Sequence, residues 1–68
     1  MELTINHQKK VFNEALPSLE ALLRLEGIAA LKGIAVALNN RVIPKNRWPV
    51  QPLQENDVIL IITATQGG

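Results

Sequence analysis

Cysteine is absent from this 68-residue chain, and with it go disulfides, thiolate metal ligands and cysteine nucleophiles. Histidine occurs once, at His7, and a single imidazole without thiolates cannot assemble a zinc site. A dominant charge is missing too. Seven Lys and Arg face six Asp and Glu, and that balance is too small for a chain whose work is neutralising a run of phosphates, so nucleic acid is not an expected partner. No segment approaches the ~18 or more apolar residues of a membrane span. The stretch after Met1 alternates charged and apolar residues in place of a basic segment followed by an apolar run, so no secretory signal is visible. A cytoplasmic protein with no membrane partner is the expectation. The length sets one domain, residues 1–68, and a domain of this size buries only roughly 60% of its unfolded-chain surface. Its thin core must rest on tidy packing or on partners.

In Glu2-Leu3-Thr4-Ile5-Asn6, polar and apolar residues alternate with period two, which predicts a half-buried strand with Leu3 and Ile5 on one face. Lys9–Asn13 reads as its hairpin partner. Asn6-His7 falls in the turn, where both residue types tolerate positive φ. The competing reading of His7 as a general base lacks a Ser, Cys or carboxylate placed to work with it. Ser18 is the expected N-cap of a helix from Leu19 to about Glu26, with Glu20 in the first turn and Gly27 at the C-terminal cap. Leu19, Leu22, Leu23 and Leu25 follow three-and-four spacing on one apolar face. That stripe reads as core, because little else in so short a chain could cover a sheet; a docking face for a partner helix is the alternative.

Residues 28–33 are ambiguous between a ragged helix extension and a loop closed at Gly33. Ile34-Ala35-Val36-Ala37-Leu38 alternates large and small apolar residues, as a strand does when its second face carries no charge. Asn39-Asn40 marks a turn into the short strand Arg41–Ile43, ended by Pro44. Lys45–Pro49 is short and proline-bounded, so no more than one helical turn is expected, and Pro49 with Pro52 keeps the next stretch extended. Asn56-Asp57 is the last turn. Val58–Thr65 is apolar on both faces for five residues, which demands an inner strand. The order is strand, strand, helix and three strands, the last central: an α+β roll with one main helix packed on a mixed sheet of about five strands.

No catalytic constellation is visible. The carboxylates Glu2, Glu14, Glu20, Glu26, Glu55 and Asp57 are scattered, without an adjacent nucleophile or phosphate-cradling loop. Asp57 reads as a turn and strand-start residue. Arg41, Lys45 and Arg47 form a local cation cluster, either an acidic partner's contact or a solvated loop. The chain is therefore not read as an enzyme and has no metal site of its own.

The tail differs. Two of only four glycines occupy the last two positions, Gly67 and Gly68, and at average usage a terminal Gly-Gly arises by chance in roughly one chain in two hundred. A frayed end or an expression scar is the bland reading. The functional one has a physical basis. Two residues without Cβ can extend through a narrow channel and deliver a terminal carboxylate into another protein's active site. An α-carboxyl group, with a reference pKa near ~3.5, is ionised at neutral pH and can attack the α-phosphate of ATP. The acyl-adenylate then has the leaving group that a free carboxylate lacks, and accepts sulfur or an amine.

With Asn39, Val42-Ile43-Pro44-Lys45, Trp48 and the terminal Gly67-Gly68 in view, the chain resembles, end to end, the thiamine-biosynthesis sulfur carrier family ThiS, which is ubiquitin-like. Asn56-Asp57 stands where that family has Gly-Asp, and Asn6-His7 and Asn39-Asn40 where Asn-Gly is frequent. Each is a mild departure, because Asn is the commonest non-glycine residue in left-handed conformations. Thr65 replaces a more usual apolar residue. The resemblance implies a β-grasp fold with residues 66–68 as a flexible tail. It implies an E1-like adenylyltransferase that activates Gly68 with ATP and magnesium, a sulfur-donor enzyme that converts it to a thiocarboxylate, and thiazole synthase as the acceptor. ATP and magnesium belong to the partner, and the carrier holds no cofactor.

The resemblance also implies that Ile59 and Ile61 face the helix, leaving Val58, Leu60 and Ile62 outward beside Ala35 and Ala37 as a partner-docking patch. Trp48 belongs to that surface or to a secondary core, the core being favoured. Three alternatives stay open. The small subunit of molybdopterin synthase also ends in Gly-Gly but is usually longer and lacks the Pro-basic-Trp element. A protein-conjugating modifier would end on a lysine amine, and a plain β-grasp interaction domain would make no use of its tail.

Overall fold

The computed structural model describes residues 1–28 and 32–63. The first strand, β1 (Glu2–Ile5), turns through Asn6-His7 into β2 (Gln8–Val11). The helix α1 (Leu19–Leu25) follows, then β3 (Ile34–Leu38), β4 (Arg41–Val42), a 3₁₀ segment (Lys45–Val50) and β5 (Val58–Thr63). The sheet order is β2-β1-β5-β3-β4, with β1 and β5 parallel and every other pair antiparallel. The apolar run of the sequence thus lies in the middle of the sheet. Residues 64 and 65, read as part of that strand, and the 66–68 tail lie outside the described residues.

The turns follow from asparagine. Asn6 and His7 have φ of 49° and 71°, Asn39 and Asn40 have φ of 50° and 70°. Two consecutive positive values define the two-residue hairpin turn whose twist matches that of the flanking strands. Its register leaves no freedom, so Ile5 pairs with Gln8 and Leu38 with Arg41. Hairpin pairing beyond β2 is carried by the Phe12 N–H donating to the Met1 carbonyl at 2.7 Å.

Ser18 caps α1 as expected, its Oγ accepting from the Ala21 N–H at 3.2 Å. At the other end Gly27, with φ of 77°, lets its own N–H reach the Arg24 carbonyl and that of Ile28 the Leu23 carbonyl, each at 3.0 Å. This pair of bonds is a Schellman motif and satisfies two carbonyls the helix would otherwise orphan. Leu19, Leu22 and Leu23 are buried against Leu3, Ile5, Val36, Leu38 and Ile59 of the sheet. Leu25 departs from the sequence reading, being 61% exposed. It lies roughly a third of a turn from the centre of the stripe that Leu19, Leu22 and Leu23 define, so its three-residue spacing from Leu22 does not bring it under the sheet.

The proline-bounded segment also exceeds its expectation of a single helical turn. The 3₁₀ helix runs six residues, Lys45–Val50, with Pro49 inside it, about two turns at three residues per turn. The fixed φ of proline suits that geometry. Its purpose in the fold is to bury Trp48, whose indole Nε1 donates to the Ile43 carbonyl at 2.9 Å. Trp48 is therefore core.

Candidate functional site

Strand β5 has two unlike faces. Ile59 is buried and Ile61 half-buried on the helix side. On the other side Val58, Leu60 and Ile62 are 47%, 37% and 52% exposed. Directly opposite residues of an antiparallel pair share a face, and the register sets Ala37 against Leu60 and Ala35 against Ile62. All five residues expected from the sequence to form a partner surface thus stand side by side on the uncovered face of the sheet.

One neighbour is missing from the sequence reading. Val42, 73% exposed, pairs with Ala37 and extends the apolar strip from β5 across β3 to β4. The signal for it is present in Asn39-Asn40, since a two-residue turn that pairs Leu38 with Arg41 must also pair Ala37 with Val42. Toward the opposite edge Thr4, paired with Val58, and Lys9, paired with Thr4, are polar, while Val11, paired with Glu2 and 75% exposed, puts one apolar residue back on the same face at the β2 edge. The apolar side chains on this face stay exposed where those of the helix side form the core.

The strip is fixed by a polar network at the start of β5. The Asn39 side chain donates through Nδ2 to Asp57 Oδ1 and accepts from the Val58 N–H at Oδ1, both at 2.9 Å. Asp57 Oδ2 accepts from the Gln54 N–H at 2.7 Å. Asp57, buried, is the turn and strand-start residue expected, and with Asn39 it ties the β3–β4 turn to β5. His7 sits exposed in its hairpin turn, and Arg41, Lys45 and Arg47 are all exposed. The ion pairs seen among the described residues lie elsewhere, Lys10 with Glu26 at 2.8 Å and Arg24 with Glu20 at 3.4 Å. Gly67 and Gly68 lie outside the described residues. They follow Thr63 by four and five positions, so a fully extended chain carries Gly68 at most ~18 Å from it.

One helix laid across a mixed sheet, with a parallel first and last strand at its centre, makes this a ubiquitin-like β-grasp protein. Residues 2–68 match the ThiS family, and the chain belongs to that family. The crystal structure of a thiamine biosynthesis protein (ThiS) from Geobacter metallireducens superimposes with a TM-score of 0.85, at 22% identity and with all of both chains covered. A solution structure of a thiamine biosynthesis protein from the same organism gives a TM-score of 0.80 at 22% identity, covering all of this chain and 88% of that one. At that identity the likeness establishes the fold. No sequence among curated proteins matches.

Proposed function

We propose that this chain is a cytoplasmic sulfur carrier for making the thiazole ring of thiamine, and that its reactive group is the carboxylate of Gly68. The observation that carries the proposal is the extent of the family match, which runs to residue 68 and so takes in the terminal Gly67-Gly68 pair as well as the domain. In this reading the carboxylate oxygen attacks the α-phosphate of ATP in the active site of an adenylyltransferase, with magnesium there, and pyrophosphate leaves. Sulfur from a donor enzyme then displaces AMP from the acyl carbon. The resulting thiocarboxylate gives its sulfur to thiazole synthase, and hydrolysis of the acyl–sulfur bond, with oxygen from water, returns the carrier as the carboxylate.

The carrier contributes position rather than catalysis. Glycine at 67 and 68 lets the end of the chain pass where a Cβ would collide. The strip Val58, Leu60, Ile62, Ala35 and Ala37, with Val42, is the docking surface in this reading, because Val58, Leu60, Ile62 and Val42 stay 37–73% exposed together on one face of the sheet.

The test is mass spectrometry of the intact chain after incubation with the adenylyltransferase, ATP, magnesium and a sulfur donor. Replacement of one oxygen by one sulfur at the C-terminus is the expected result. A new isopeptide bond to a lysine would make the chain a modifier instead, and an unchanged mass would remove the proposal.

A further inference from the structure

The last strand is held on its two sides to different depths. Toward β3 the pairing continues to Thr63, opposite Ile34. Toward β1 it stops earlier. The Thr4 N–H donates to the Asp57 carbonyl at 3.0 Å and the Asn6 N–H to the Ile59 carbonyl at 2.9 Å, so the odd-numbered residues of β5 turn their backbone groups to this side. The next rung belongs to the N–H of Ile61. A regular parallel ladder would offer it the backbone carbonyl of Asn6, but Asn6 and His7 are already in the left-handed turn that leads away to β2. The rung is made nonetheless, because the Asn6 side chain folds over and its Oδ1 accepts from the Ile61 N–H at 2.7 Å.

We infer that Asn6 is a positioning residue for the reactive tail: among the described residues its carboxamide makes the furthest hold on the β1 side of β5, and it steadies the strand that leads toward Gly68. Two demands meet at this residue. The hairpin turn needs a residue that accepts positive φ, and the strand end needs an acceptor oxygen on a short side chain. Asn supplies both, Gly only the first and Ala neither. In the carrier reading, a loosened root presents the carboxylate of Gly68 less productively to the partner's active site. The benefit to adenylation rests on the carrier reading above; the hold on the strand does not.

The experiment compares Asn6→Gly, which keeps the turn and deletes the acceptor, with Asn6→Asp, which keeps both. In Asn6→Gly the Ile61 amide should exchange about tenfold faster, while the Thr4 amide, bonded to Asp57, stays within about twofold of wild type. Backbone order parameters of Ile62 and Thr63 should fall toward ~0.6 or below. With the adenylyltransferase, magnesium and ATP, pyrophosphate exchange should show kcat for the chain lowered about tenfold and KM within about twofold, a loss of productive presentation in the docked complex rather than of docking. Asn6→Asp should restore all three. Unchanged Ile61 exchange and unchanged order at Thr63 in Asn6→Gly would overturn the inference, as would a loosened strand end with kcat unmoved, since the role would then be structural. A wild-type chain that supports no pyrophosphate exchange strikes the carrier reading instead, and the amide measurements still judge the hold of Asn6 on the strand.

Discussion

Each of the described residues with positive φ that is not glycine is Asn or His: Asn6, His7, Asn39, Asn40 and Asn56. The left-handed region costs most residues roughly 1–2 kcal/mol, and a short polar side chain that bonds locally offsets part of it. Asn39 goes further and uses both ends of its amide across 18 and 19 residues of sequence. Replacing it by Ala strains the turn and also leaves the buried Asp57 one partner short. The expected loss is about 2.5–4 kcal/mol in urea unfolding, from strain of about 1 kcal/mol and a lost charged hydrogen bond of about 1.5–3 kcal/mol. Asn39→Gly separates the two parts, because it removes the bonds but not the φ, and should recover about 1 kcal/mol. Equal midpoints for the two variants would show that backbone strain plays no part. The turns are legible in the sequence because Asn clusters announce them. The bonds are not, since a pairing between Asn39 and Asp57 depends on β3 lying beside β5, and sheet order is not written in local spacing.

At the scale of the element, α1 is a seven-residue helix, shorter than the ~12–15 residues that hold together alone in water. Its caps and its buried face therefore carry it. Ser18→Ala should cost about 1 kcal/mol through loss of the bond to the Ala21 N–H. Thermal unfolding should show a lower midpoint with cooperativity intact, and an unchanged midpoint would mean that water replaces the cap at no cost. Ser18, Gly27 and the Leu19, Leu22, Leu23 face can all be read from the sequence because capping and periodicity are local. Leu25 escapes for the same reason. A spacing rule selects neighbours on a cylinder but does not say where the sheet edge ends, and the stripe that the sheet covers is narrower than the stripe of leucines. The second turn of the 3₁₀ segment is likewise invisible locally, because proline spacing marks where a helix meets resistance, whereas the burial of Trp48, with its bond to Ile43, is a tertiary term large enough to draw that turn out.

For the molecule as a whole, the carrier reading divides recognition from chemistry, and the two parts can be removed separately. Deleting Gly68 takes away the reactive carboxylate and shifts the terminus to Gly67, while the domain through Thr63 keeps its core. Unfolding midpoint and affinity for the adenylyltransferase should change little, sulfur transfer should vanish, and the shortened chain should inhibit the full one by occupying the same surface. Leu60→Glu makes the opposite cut. Leu60 is 37% exposed, against Ala37 on the open face, so in the free protein a carboxylate there reaches water and stability should shift by less than about 1 kcal/mol. Docked, the same carboxylate is pressed into an apolar contact without a partner. A penalty of about 3 kcal/mol is expected for burying it, which weakens the complex about a hundredfold at 1.4 kcal/mol per decade. Titration calorimetry against the adenylyltransferase measures that difference directly, and because the tail is unaltered the maximal rate at saturating chain should survive. Unimpaired binding by a folded Leu60→Glu chain would move the docking surface off this face and leave the exposed strip of β5, β3 and β4 without a role.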